Sequence, residues 1–140
     1  MDDPYDLGRF VNAQAGIYPE VLAELRAGRK HSHWIWFIFP QMKGLGHSSY
    51  ANFYGIGSLA EAAAYAGHPV LGPRLEECTQ LVLAVQGHTI ESILGSPDDL
   101  KFRSSMTLFH RAAPENPLFL AVLEKYFGGK PDPLTLELLR

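Results

Sequence analysis

Asp98, Lys101 and Ser105 are spaced i, i+3 and i+7. An α-helix, with about 3.6 residues per turn, would set this carboxylate, ammonium and hydroxyl in one line beside its apolar stripe. A carboxylate so placed can move a proton at a departing glycosidic bond, and a lysine next to it can meet a phosphate. Asp98 and Lys101 are therefore the candidate catalytic pair, and Ser105 a candidate ligand contact. The plainer outcome is a local Asp98–Lys101 ion pair worth a few tenths of a kcal/mol. Arg103 and Ser104 fall farther round the helix and are expected in solvent.

A second constellation lies in the aromatic run His31-Ser32-His33-Trp34-Ile35-Trp36-Phe37-Ile38-Phe39-Pro40-Gln41 and the Gly-rich stretch that follows it. Full burial of one large apolar side chain is worth roughly 1.5–3 kcal/mol, so this run must lie inside. Polar groups nevertheless border it closely, and aromatic walls with a few placed polar groups make a pocket. Indole and phenol rings offer flat faces for stacking and one donor each, while lysine and glutamine can fix a phosphate or a base edge. His33, Trp34, Trp36, Gln41, Lys43, Tyr50, Asn52 and Tyr54 are the candidate ligand contacts here, with Arg74 as a further phosphate partner. The competing reading keeps the tryptophans as core anchors and the polar residues as mere surroundings of an exit loop.

Other chemistries find little support. The six histidines form no H-x-x-x-H or H-E-x-x-H pair, and the single cysteine has no thiolate partner, so neither a metal nor a cofactor is expected. Cys78 falls on a regular apolar stripe, which marks it as core rather than nucleophile. No phosphate-binding glycine fingerprint and no G-x-S-x-G elbow is present. The chain of 140 residues has 46% apolar and 19% charged residues and a net charge of −3, the composition of one globular domain spanning 1–140. Without a basic stripe, duplex nucleic acid is not an expected partner. The longest apolar run, Trp34 to Phe39, falls far short of the ~20 residues of a membrane span. With no signal-peptide pattern and one cysteine, a cytoplasmic location is expected.

The elements that must position these residues read as helices. Phe10, Val11 and Ala15 mark a first short helix ended by Gly16. Tyr18, Val21, Leu22 and Leu25 share a face of a second, with Pro19 at its start and Gly28 at its stop. The aromatic run gives no usable period, but no other strand exists to pair with it, so it is read as helix. Pro40 to Gly57 is a long structured loop with one short helical turn. Ser58 caps Leu59–Tyr65. Pro69 opens a helix in which Leu71, Leu75, Cys78, Val82 and Val85 form the clearest stripe, stopped by Gly87, and Thr89 to Leu94 make a short turn. Ser96 is the expected N-cap of a helix that begins at Pro97, runs to about Ala113 and faces Phe102, Met106, Phe109 and Ala113 inward. Pro117 begins another with Phe119, Leu120, Leu123 and Phe127 inside, and Asp132-Pro133 caps a last one. The expected architecture is an all-α, compact bundle of about six to eight short helices.

With these residues in hand, the chain resembles domain-of-unknown-function family 1810, a bacterial and microbial family. The resemblance spans nearly the whole chain. It rests on Arg9-Phe10-Val11, the run Ser32 to Gln41, Ala64-Tyr65, His68 to Leu75, Ser96 to Lys101, Ser104 to Phe109 and Tyr126-Phe127-Gly128-Gly129. It implies an all-helical domain and no established activity. Tyr50-Ala51-Asn52-Phe53-Tyr54 is also similar to the Asn-Phe motif of NADAR domains, small helical proteins associated with NAD and ADP-ribose. That similarity implies action on ribose-linked bases, although the acidic signature that follows the motif in that group is absent here.

Two functions follow as expectations. The first is binding, or N-glycosidase-like hydrolysis, of a ribose- and phosphate-bearing nucleotide metabolite. The second is a non-catalytic protein–protein interaction module using the aromatic loop 42–56. A concave cavity between the aromatic run and the Asp98–Ser105 helix favours the first, and a flat exposed aromatic patch the second.

Overall fold

A computed structural model describes residues 2–140. Several of its helices begin where a short polar side chain takes up a free backbone N–H of the first turn. Ser48 accepts from the Ala51 amide to start α4, residues Ser49–Tyr54, and Ser58 accepts from Glu61 to start α5, Leu59–Ala66. Thr89 does the same for Ser92 in α7, Ile90–Leu94, and Asp132 for Thr135 in α10, Pro133–Leu138. The other helices are α1 (Gly8–Gln14), α2 (Tyr18–Arg26), α3 (Ile35–Ile38), α6 (Leu71–Ala84), α8 (Asp98–Ala112) and α9 (Leu118–Phe127). The described residues thus form an all-α fold of ten helices. Six have seven residues or more, and the four single-turn pieces raise the total above the expected six to eight.

α8 is the central element, packed against α3, α5, α7, α9 and α10, while α6 lies on α2, α5 and α9. Phe102, Met106 and Phe109 carry the α8 stripe into the core, where Phe102 meets Phe39 edge-on with ring centres 4.8 Å apart. Such aromatic pairs add about 0.5–1.5 kcal/mol beyond the area they bury. The aromatic run supplies only the single turn α3, with Trp34 and Phe39 as its flanking residues. No helix among the described residues is long and apolar enough to cross a membrane.

Segment 40–57 is a loop with α4 inside it. Its two ends are joined by a Met42–Ile56 bridge, in which the Lys43 amide donates to Ile56 and the Ile56 amide donates to Gln41. Gly55 is required at this closure: a Cβ there would lie 2.7 Å from the Lys43 Cα and 2.8 Å from the Ala51 carbonyl oxygen.

Four local expectations are corrected. Ser96 does not cap α8; Pro97 takes that position, and the Gly95 carbonyl accepts the Asp99 amide instead. α6 begins at Leu71 rather than Pro69, because the His68 Nδ1 accepts the amides of both Val70 and Leu71. Leu120 is exposed, since Phe119, Val122 and Leu123 already fill the inner face of α9. Ser104 is buried rather than solvated, because α10 folds back over that side of α8.

Candidate functional site

Glu24 sits on α2 between the buried Val21 and Leu25 and is itself buried. A carboxylate inside needs donors, and the turn after α2 supplies them. The His31 amide donates at 2.7 Å, the Ser32 amide at 3.0 Å, the Ser32 hydroxyl at 2.6 Å and the Trp34 indole Nε1 at 3.0 Å. Burial pushes the Glu24 carboxyl up, but the bonds from Ser32, His31 and Trp34 outweigh it and hold it down at about 2. The turn 29–34 is thereby fixed, and Trp34 with it.

From this turn Lys30 reaches across to α8. Its ammonium lies 5.0 Å from the Trp34 ring centre, donates to the Ser32 carbonyl and pairs with Asp98 at 2.8 Å. Lys101 approaches the same carboxylate at only 3.8 Å and lies 5.0 Å from the Trp36 ring centre. The Lys101 side chain is also the more exposed, 26% against 6% for Lys30. Trp36 in turn is stacked by Tyr50, with ring centres 5.0 Å apart and planes 26° apart, and Tyr50 stands parallel to Tyr54 at 6.5 Å. Burial and the neighbouring Tyr50 raise the Tyr54 phenol above its ordinary value, with Arg9 opposing them.

Beside Lys101 lies a cleft of about 440 Å³ between segment 41–46, the first turns of α8 and the start of α10. Gln41, Lys101, Arg103, Ser104 and Asp132 give its polar lining, and Leu45, Leu100 and Leu134 its apolar one. Asp132 is fixed there by the Ser104 hydroxyl at 3.0 Å and by the Thr135 amide and hydroxyl, all on one oxygen. Arg103 is held by the carbonyls of Lys130 and Pro131.

Sequence reasoning named Asp98, Lys101, Gln41, Trp36, Tyr50 and Tyr54, and these do gather on one side of the molecule. It missed Lys30 as the partner of Asp98, and Ser104 and Asp132 as cleft residues; of these only the capping role of Asp132 left a local signal. The remaining candidates lie elsewhere. Trp34 is wholly in the core. Ser105 is fully enclosed rather than at a rim, because neighbouring helices cover α8 on several sides, and its hydroxyl has no partner. Arg74 lies over Tyr18 and donates to Gln14, between α1, α2 and α6. His33 is exposed.

Lys43 and Asn52 line a second, open cleft with Ser49, Phe53 and the ion pair Arg9–Glu61. Arg9 uses its whole guanidinium there: it donates to the carbonyls of Tyr5, Asp6, Phe53 and Gly55 and to Glu61. Among the described residues no group of three or more His, Cys, Asp or Glu side chains could hold a metal ion. Burial pushes the Cys78 thiol up to about 12, so it is protonated and a poor nucleophile.

A family model described as a protein of unknown function (DUF1810) matches residues 4–139. The crystal structure of the conserved hypothetical protein Rv1873 from Mycobacterium tuberculosis is similar to this chain at 60% sequence identity and a TM-score of 0.97. That match covers 98% of each chain. No curated protein matches.

Proposed function

The chain belongs to the DUF1810 family of proteins of unknown function, and from that premise we propose that it binds a small phosphate-bearing metabolite of the ribose–nucleotide kind in the cleft between segment 41–46, α8 and α10. The observation that carries this reading is the concave meeting of Lys101, Gln41 and Asp132, with Lys101 only distantly paired to Asp98. Asp98 is closer to Lys30 than to Lys101, which leaves the Lys101 charge loosely committed and free to meet a phosphate. Gln41 and Asp132 supply an amide and a carboxylate oxygen for ribose or base hydroxyl and amino groups.

If the ligand is also hydrolysed, Asp98 is the group to act. Its carboxylate, beside the cleft-lining Lys101, would face the positive charge that develops on the ribose at the departing bond. A cytoplasmic setting, where such metabolites abound, belongs to the same proposal.

A thermal-shift screen with AMP, NAD and ADP-ribose tests this reading, repeated with Lys101→Ala. A ligand at 100 times its Kd stabilises by about 2.7 kcal/mol, a shift of several degrees. The expected result is a shift in the parent protein that is lost in the still-folded variant. No shift with any of the three overturns the reading.

The second reading is a protein-interaction surface. Tyr50 and Phe53 are 57% and 56% exposed on α4, and aromatic side chains so placed are frequent interface anchors. A pull-down lost in Tyr50→Ala/Phe53→Ala, with no ligand shift in the screen, would favour it.

A further inference from the structure

We propose that the cavity at the far end of α8 binds a small alkylammonium compound, a diamine or polyamine, with its methylenes on the apolar walls and its charged end on Glu76 and Glu115. This site shares no residue with the cleft beside Lys101 and stands independently of it.

The cavity has a volume of about 300 Å³ and lies where the ends of α5 and α8 meet α6 and the start of α9. Buried Leu75, Ala113 and Phe119 give it an apolar wall. Elsewhere the lining is small, with Ala63, Ala66 and Ala112, so the space between the helices is left unfilled. Gly72 keeps it so from α6. A Cβ there would lie 2.3 Å from the Ala66 carbonyl oxygen, and no side chain fits.

The polar side chains of the lining offer acceptors. Glu76 and Glu115 stand there, and neither is in an ion pair among the described residues. The one side-chain donor, the Asn116 amide, is committed to Glu76 at 3.2 Å, while its oxygen accepts the Leu118 amide. The carbonyls of Ala66 and Ala112, last in α5 and α8, accept no hydrogen bond among the described residues, and such helix ends carry partial negative charge. No lysine, arginine or histidine lines the cavity; His110 and Arg111 in the last turn of α8 lie outside it. An anion would face both carboxylates, and a neutral apolar molecule would leave them unused. A bare metal ion would leave the apolar wall empty and finds no set of three ligating side chains. A cation that brings its own N–H donors on a hydrocarbon chain matches both halves of the lining.

Calorimetry with putrescine tests the site, at about 0.15 M salt so that diffuse attraction is screened. Butanediol and Mg²⁺ are the controls, the first keeping the chain without the charge and the second the charge without the chain. The expected result is saturable binding of putrescine, no binding of butanediol and no displacement by excess Mg²⁺. Glu76→Gln/Glu115→Gln should weaken putrescine by about tenfold or more. Ala63→Leu, which fills the cavity and keeps both carboxylates, should abolish binding, with circular dichroism to check the fold. The double carboxamide variant decides where Ala63→Leu fails to fold. No binding of putrescine overturns the site. Displacement by Mg²⁺, or a Kd unchanged in either folded variant, also overturns it, because surface charge alone would then hold the diamine.

Discussion

Trp34 and Trp36 are built alike and used differently. Each has a lysine ammonium 5.0 Å from its ring, and the two lysines converge on Asp98. On the Trp34 side every polar group is matched: the indole N–H is on Glu24, and Lys30 is pinned by the Ser32 carbonyl and Asp98. On the Trp36 side the indole N–H is orphaned, the lysine stands farther from the carboxylate, and the covering tyrosine is more than half exposed. The difference separates a fixed half from a loosely held one. Satisfied buried polar groups fix one conformation, whereas an unsatisfied one leaves its surroundings less firmly specified.

The sharpest way to break this comparison is to remove each ring. Trp34→Ala should cost about 4 kcal/mol in urea denaturation, because a wholly buried ring leaves a cavity and an under-used carboxylate. Trp36→Ala should cost about 1–2 kcal/mol, since its ring is half-buried under an exposed tyrosine. Equal losses would show that both are core residues.

Next in size is Glu24. Glu24→Ala removes the acceptor of four donors and should cost about 3 kcal/mol by the same measurement. Because the folded protein holds this carboxyl at about 2 against an ordinary 4.5, its contribution is full above pH 4.5 and is lost as pH falls from 4.5 toward 2. The stability gap between the parent and Glu24→Gln should therefore narrow across that window. A gap independent of pH would mean that the carboxylate charge is not what holds the turn.

The smallest effects sharpen the comparison at the lysines. Lys30→Met should cost about 1–2 kcal/mol by leaving Asp98 with one distant partner, and Lys101→Met less than about 0.5 kcal/mol. Thermal unfolding of both variants checks this, and a reversed order would put the fixed half on the wrong side.

Much of the fold was legible in the sequence. The α8 stripe, the Ser58 and Asp132 caps, the glycine stops of α2 and α9 and the loop at 40–57 are set by neighbours within a few residues, and local spacing reads them; α6 instead ends at Ala84, before the expected Val85 and Gly87. The Asp98–Lys101 pair was legible for the same reason. The division of labour within the aromatic run was not, because a segment that is apolar throughout carries no period to say which ring faces in. Lys30 meets Asp98, and Ser104 meets Asp132, only after separate helices have docked. Glu24 did leave a trace that went unread. It sits in the same arc of α2 as Val21 and Leu25, and a carboxylate in an apolar arc calls for donors.

Arg9 decides how the candidate region comes apart. Outside α4, segment 40–57 has little backbone pairing of its own beyond the Met42–Ile56 bridge, and Arg9 ties its far end to α1 and α5 through the carbonyls of Phe53 and Gly55 and through Glu61. A single guanidinium thus does for this loop what a strand pairing does elsewhere, across a sequence separation whose closure entropy must be met before any of its bonds form. The loop's hold on the rest of the molecule is concentrated in that side chain and in the buried Met42, Ala51 and Ile56. Arg9→Met should therefore speed amide hydrogen exchange across 40–57 before it does so in the helices around α8.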